Sequence, residues 1–275
     1  MNTASTAPSS GRPTRQGLPV CAPEWSEGMR WLFDVNGCLL IENVLTDEEI
    51  ARFRAAAEQV VQETGKSQIG SMIQANPVFA ELMDNRIMFP MALKILGRNT
   101  QVYSSTLIAN SRSNNFVQQW HQDGPSHDQY NNLAHPTPLI QLRLAYMLTD
   151  CLDAQQGGLA VIPGSHKAAG VPPKDVLELD RLSVPVLGRA GSVFVFHNGL
   201  WHGGIENKTD SPRITAHIIY APVWLRPIGS HRYPDEFKRA LTPRRRLLLA
   251  DNDNPRDIYL SDVYVYEEDG SIGGS

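Results

Sequence analysis

Between residues 101 and 220 the chain runs as short β-rich segments parted by Gly, Pro, Asn and Asp, and this pattern restricts the fold more than any other feature of the 275 residues. The segments are 101–108, 140–148, 159–162, 192–196 and 214–220. No helical periodicity lies between them. A βαβ unit needs a long crossover, commonly a helix, so the pattern points to antiparallel sheets packed as a sandwich or jelly roll. Before residue 101 the pattern is helical. Asn36-Gly37 parts Trp31-Leu32-Phe33 from Cys38-Leu39-Leu40-Ile41, which reads as a helix end followed by a strand. Thr46 with Glu49 three residues on, heading a run over 50–61 with apolar residues at helical spacing, matches a capping box. A second helical region is expected between 76 and 96, broken at Pro90.

Residues 1–22 are rich in Ser, Thr, Pro and Arg without a continuous apolar core, so they read as a flexible tail and not as a secretory signal. Residues 23–275 read as one domain: a helical part to about 100, a β core over about 101–225, and a C-terminal wrap over 226–275 that includes the Tyr-bearing segment 259–266. A formal charge of −4 argues against a general electrostatic grip on nucleic acid, and the run Arg244-Arg245-Arg246 reads as a solvated helix face. Three cysteines without CxxC spacing support neither a disulfide framework nor a thiolate zinc site, which fits a cytoplasmic protein. No stretch approaches the roughly 18 apolar residues of a membrane span.

Trp120-His121-Gln122-Asp123-Gly124 sets an imidazole and a carboxylate two residues apart, and on a strand such positions share a face. His-x-Asp alone is a weak motif. A third ligand has its best candidate in His202, within the Gly-rich Trp201-His202-Gly203-Gly204, where small residues let backbone or ligand approach closely. Two histidines and one carboxylate suit iron(II) with coordination positions left open, and a zinc hydrolase could use the same ligand types. Arg213 separates these readings. The turn-forming residues 206–212 would set it near His202 on an adjoining antiparallel strand, where a guanidinium could hold the far carboxylate of a 2-oxo diacid. Taken alone, Arg213 reads as a surface arginine after a turn.

The chain at this point resembles the phytanoyl-CoA dioxygenase family of iron(II)/2-oxoglutarate oxygenases. The matching pieces run in order: residues 38–50, Trp120-His121-Gln122-Asp123, Leu148-Thr149-Asp150, the stretch from Gly157-Gly158 through Pro163-Gly164-Ser165-His166-Lys167, Phe196-His197, His202-Gly203, Asn207-Lys208-Thr209 and Arg213. Together they cover roughly residues 30–225. The resemblance implies a mainly β protein with flanking helices, built on a double-stranded β-helix of the jelly-roll or cupin-like kind. It also implies His121, Asp123 and His202 as iron ligands and Arg213 as the anchor of 2-oxoglutarate, with Gln118 and Thr106 as further contacts to that co-substrate. The implied reaction turns 2-oxoglutarate and O2 into succinate and CO2 while oxidising, here by hydroxylation, a small organic metabolite. Retention of Asp123 implies hydroxylation, desaturation or rearrangement but no chlorination, since related halogenases have Ala or Gly there. The sequence departs from the family at Leu144, where many members have Trp, and at Gly204, where Ser is common. The alternatives are a metal-assisted hydrolase, a cupin oxygenase independent of a 2-oxo acid, and a non-catalytic jelly-roll binding protein; the oligomeric state stays open.

His166 and His197 read as structural. His217, on the same face as Arg213 and Thr215 in a regular strand, reads as a satisfied core histidine that could also line the pocket. Arg143, flanked by Leu142 and Leu144, is either an outward charge or a pocket charge for an anionic substrate. His127, His135 and His231 fall in loops without an assigned role. The polar loop 124–138, emerging directly after the first two ligands, is the candidate lid.

Overall fold

The structure is a computed structural model that describes residues 17–123, 136–168, 170–178, 181–227, 233–249 and 269–271. Most of the 1–22 tail, nearly all of the 124–138 loop, the 259–266 segment, His127, His135 and His231 lie outside the described residues. The described chain opens with β1 (Val20–Cys21), α1 (Glu27–Asn36), β2 (Cys38–Ile41) and α2 (Asp47–Thr64). Next come β3 (Gln68–Gly70), α3 (Met72–Ala75), a 3-10 helix (Pro77–Asp84) and α4 (Met88–Leu96). The remaining strands are β4 (Thr100–Asn110), β5 (Leu142–Met147), β6 (Gln156–Val161), β7 (Val184–Pro185), β8 (Val193–His197), β9 (His202–Asn207) and β10 (Arg213–Pro222), ahead of the short α5 (Asp235–Arg239) and α6 (Pro243–Leu248).

Among the described residues two sheets form, one of seven strands in the order β1-β2-β8-β5-β10-β4-β3 and one of three in the order β7-β6-β9. All pairings are antiparallel except β1 with β2. A buried layer that includes Cys38, Leu40, Ala145, Met147, Leu159, Val161, Phe194 and Phe196 joins the two sheets, giving the jelly roll expected from the strand pattern. The other face of the large sheet lies under the helices. Ile214, Ala216, Ile218 and Tyr220 of β10 enter one core with Phe53 of α2, Phe79 of the 3-10 helix and Phe89 of α4. The hydroxyls of Tyr146 and Tyr220 donate to the carbonyls of Leu82 (3.2 Å) and Met83 (2.7 Å), fastening the 3-10 helix to the sheet while satisfying two buried phenols.

Pro90 does not break the second helical region, contrary to the expectation from sequence. The interruption falls at 85–87, where the Asn85 side chain accepts from the N–H groups of Ile87 and Met88, both at 3.1 Å. Pro90 sits in the first turn of α4, where its missing N–H costs no helical bond. The capping box is present as expected: Glu49 N–H donates to Thr46 Oγ1 (3.2 Å) and Thr46 N–H to Glu49 Oε2 (2.8 Å). Thr46→Ala should therefore cost about 1 kcal/mol of unfolding free energy, read from the urea midpoint at unchanged slope, with Thr46→Ser recovering most of it.

Candidate metal centre

β9 begins at His202, and there the chain before the first ligand crosses it. The His121 N–H donates to the His202 carbonyl (2.9 Å) and the His202 N–H to the His121 carbonyl (3.0 Å), an isolated antiparallel bridge. Asp123 follows on a turn, its N–H donating to the carbonyl of the fully buried Asn198 (2.8 Å). The Asn198 side chain accepts from the N–H groups of Ile140 (3.1 Å) and Gln141 (3.2 Å), so one residue ties the turn to the start of β5. His121 and Asp123 thus converge through a bridge and a turn, not through the shared strand face expected from their spacing.

One ligand atom each from His121, Asp123 and His202 lies within 4.8 Å of the others, and all three residues are buried. His121 Nε2 is 3.7 Å from Asp123 Oδ1, and His202 Nε2 is 3.6 Å from Asp123 Oδ2. Each imidazole places Nδ1 on a carbonyl two residues earlier: His121 on Gln119 (2.7 Å) and His202 on Leu200 (2.9 Å). These contacts assign the proton to Nδ1 and direct the Nε2 lone pair toward Asp123, as metal-ligating histidines are commonly held. Burial pushes the His202 pKa down to about 4, against the opposing pull of Asp123, so the ring is neutral near pH 7 and in its ligand form. Two imidazoles and a carboxylate around one point fit iron(II).

Gly203 lets the Trp120 ring lie close, a Cβ there falling 3.2 Å from it, and Gly204 serves the approach of backbone. A Cβ on Gly204 would lie 2.8 Å from Gln118 N, and the Gly204 N–H already donates to the Gln118 carbonyl (2.7 Å). The departure from the common Ser at this position is therefore matched to a close-lying 117–118 segment.

Beside the three candidate ligands is a cavity of about 210 Å³, walled among others by Thr106, Gln118, Asp123, Arg143, His202 and His217. Thr106 and Gln118, expected at the co-substrate, are both in this wall. Arg213 is not. It lies on the same face of β10 as Thr215 and His217, only 5% exposed, and a Cβ on Gly158 would be 3.8 Å from its Nε. Its Nε has no hydrogen-bond partner, and among the described residues no carboxylate pairs with it. Burial pushes its pKa down from the ordinary arginine value. His202 and Arg213 do not occupy adjoining strands as expected: β9 belongs to the three-stranded sheet and β10 pairs with β4 and β5 in the large one. The cause is Asn207. Its Nδ2 donates to the carbonyls of Asn110 and Ser211 (both 2.9 Å) and its Oδ1 accepts from Thr209, so the chain turns a corner between sheets instead of closing a hairpin.

His217 both lines the cavity and is satisfied, with Nε2 3.0 Å from Thr215 Oγ1. Burial first, then the charges of Arg213, Arg143 and His202, hold its pKa well below the ordinary histidine value. Arg143 is a pocket charge and not an outward one. Its Nε lies 2.5 Å from Asp123 Oδ2, an ion pair whose angles fall short of a directed hydrogen bond. His166 and His197 are structural, as read from sequence: His166 Nε2 meets the Asp34 carbonyl at 3.2 Å, His197 Nδ1 accepts from the Gly199 N–H at 2.8 Å, and the rings are 4.9 Å apart.

The family model of phytanoyl-CoA dioxygenase (PhyH) matches residues 33–215. The chain belongs to the phytanoyl-CoA dioxygenase family. It is accordingly a non-haem iron, 2-oxoglutarate-dependent dioxygenase. It is 25% identical over 233 residues to an ectoine dioxygenase of Nocardia farcinica, covering 70% of this chain and 76% of the relative. Among solved structures, HygX from Streptomyces hygroscopicus with nickel and 2-oxoglutarate bound superposes with a TM-score of 0.63 at 18% identity, covering 74% of this chain and 89% of that one. EctD from S. alaskensis with 2-oxoglutarate and 5-hydroxyectoine gives 0.62 at 24% identity, covering 74% and 78%. These two likenesses establish the jelly-roll fold. No helix among the described residues is long and apolar enough to cross a membrane.

His197 generates a pH prediction. Burial, with a smaller contribution from His166, pushes its pKa down to about 3. An unfolded histidine takes up a proton near pH 6.5 that the folded one refuses, so the contribution to stability is complete above that pH and shrinks as pH falls toward 3. Between about pH 6.5 and pH 5 the metal-free protein should lose about 2 kcal/mol through this group. Urea unfolding at the two pH values measures the whole loss, to which His202 and His217 also contribute, and His197→Asn should reduce it by about the share of this one group.

Proposed function

We propose that His121, Asp123 and His202 hold the iron, that Arg213 takes the far carboxylate of 2-oxoglutarate, and that the enzyme hydroxylates a small organic metabolite in the adjoining cavity. The observation that carries this reading is the convergence of the three buried ligand residues with both Nδ1 atoms tied to backbone carbonyls. When bound, iron(II) with 2-oxoglutarate and O2 supplies the oxidising power for an unactivated C–H bond, the co-substrate leaving as succinate and CO2.

The protein's part is position and exclusion. The paired backbone of His121 and His202 sets the distance between the imidazoles before any ligand arrives, which removes reorganisation from the binding step. Asp123 offers Oδ1 on the His121 side while Arg143 holds Oδ2, so the carboxylate has one preferred orientation. Arg213 supports the second assignment because a buried guanidinium with no counter-ion among the described residues is costly, and a dicarboxylate would supply the anion in a fork geometry. Thr106 and Gln118 offer a hydroxyl and an amide to the polar side of the cavity, while Leu159, Phe196 and Ile219 supply apolar wall. A volume of about 210 Å³ favours a small substrate.

The test is succinate release that depends on iron and 2-oxoglutarate, followed across a metabolite panel for stimulation. His121→Ala, Asp123→Ala and His202→Ala should each abolish coupled turnover and weaken iron binding measured by equilibrium dialysis, with the fold retained by circular dichroism. Full activity of any one at saturating iron removes that residue from the ligand set. Arg213→Lys keeps the charge but loses the fork, so KM for 2-oxoglutarate should rise about ten- to a hundredfold, equivalent to about 1.5–3 kcal/mol. An unchanged KM places Arg213 outside the co-substrate site.

A further inference from the structure

Arg143 orients Asp123 through Nε, and it is also the one arginine in the cavity wall among the described residues. Its place follows from register. Arg143 is opposite Ile219 on β10 and Phe196 on β8, both of which also line the cavity. Its Nε is sealed from water against Asp123, whereas the side chain as a whole keeps 22% of its surface accessible. The guanidinium carbon sits 6.0 Å from the centre of the Phe196 ring. With Nε engaged, a guanidinium still has its terminal N–H groups to offer.

Charge accounting gives this arginine a role. The described groups that carry full charge in or next to the cavity are Asp123, Arg143 and Arg213. Iron(II) and dianionic 2-oxoglutarate cancel each other, and Asp123 cancels one guanidinium. One positive charge remains in a largely buried site, where an uncompensated charge is expensive. The deficit does not fall on Arg213, which receives a co-substrate carboxylate. It falls on Arg143, which shares Asp123 with the metal.

We propose that Arg143 is the specificity-determining charge for the organic substrate, and that this substrate bears a single carboxylate which Arg143 binds. The proposal rests on the metal and co-substrate assignment given above. Gln68 and Ser104, also in the wall, add polar groups for the rest of a small acid, and Phe196 and Ile219 add apolar contact for its carbon skeleton.

The experiment loads the full chain with nickel(II), which supports binding without turnover, and first titrates it with 2-oxoglutarate by calorimetry. Absence of 2-oxoglutarate binding at this step brings down the metal and co-substrate reading itself. The loaded protein is then titrated with pentanoate, benzoate and cyclohexanecarboxylate, each beside its primary amide. At least one acid should bind about tenfold or more tighter than its amide, the gain expected of a charge-assisted pair. Arg143→Gln should abolish that preference, each acid being compared with its own amide on the same loaded variant so that any effect on Asp123 cancels, and Arg143→Lys should retain part of it. If 2-oxoglutarate binds but no acid does, if acids and amides bind alike, or if Arg143→Gln keeps the preference, Arg143 is not the substrate anchor. Should Arg143→Gln fail to fold or lose metal, the acid-against-amide comparison in the wild type together with Arg143→Lys decides.

Discussion

The reciprocal backbone hydrogen bonds between His121 and His202 are the constraint on which the candidate metal centre depends. The two ligands are far apart in sequence, and nothing in either side chain brings them together. The bridge does so by making them a hydrogen-bonded antiparallel pair, which fixes their Cα separation at about 5.5 Å and puts both rings on one side. Each ring is then rotated to its working position by its own Nδ1 contact with a carbonyl two residues back. Asp123 completes the set only because Asn198, five positions after β8 begins, captures its N–H. Three local backbone contacts therefore define the geometry, and Gly203 and Gly204 are the condition for them, since side chains there would push the 117–120 segment off β9.

β10 transmits this arrangement to the rest of the molecule. Its even-numbered residues from Ile214 to Tyr220 are buried beneath the helices, and its odd-numbered residues from Arg213 to Ile219 face the space between the sheets. A slip of one residue in register would exchange the two sets, burying a guanidinium in the helical core and turning isoleucines into the cavity. The hydrophobic contact with α4 and the 3-10 helix thus specifies the direction of Arg213 and His217 as firmly as any contact inside the cavity. The Tyr220 hydroxyl on the Met83 carbonyl strengthens that register at the far end of the strand, just past the irregularity between Ile219 and Tyr220.

The strand pattern, the capping box at Thr46 and the members of the buried cluster His121, Asp123 and His202 were legible in the sequence because each leaves a local mark: alternation, a spacing of three, or a motif. The route by which His121 and Asp123 converge was not, because a bridge of one residue pair and a turn have no periodicity of their own. The separation of β9 from β10 was hidden for a related reason. Residues 206–212 carry the composition of a hairpin turn, and only the hydrogen bonds of Asn207 show that the chain crosses between sheets. Arg143 stayed undecided because β2 and β8 are buried on both faces and β5 almost so; strands of this kind read as continuous apolar runs and hide which way a lone charge points. Pairing with β10 resolves it, since His217 and Ile219 face the cavity and Arg143 is opposite Ile219.

Burial gives the groups of the site unequal needs before any ligand is present. His202 and His217 respond to desolvation by staying neutral, which suits one for a metal and the other for its hydroxyl partner Thr215. An arginine has no such escape, because its pKa remains far above neutrality even when lowered. Arg143 meets the demand internally by leaning on Asp123, whereas Arg213 has no carboxylate among the described residues. Among the described residues Arg213 is therefore a buried cation with its electrostatic demand unmet, and an anion bound there would contribute to folding. With iron on Asp123, as proposed, the carboxylate that Arg143 shares is drawn to the metal and the demand passes to Arg143 in the cavity wall. The order of compensation is thus set by which cation the fold has already paired and which it has left alone.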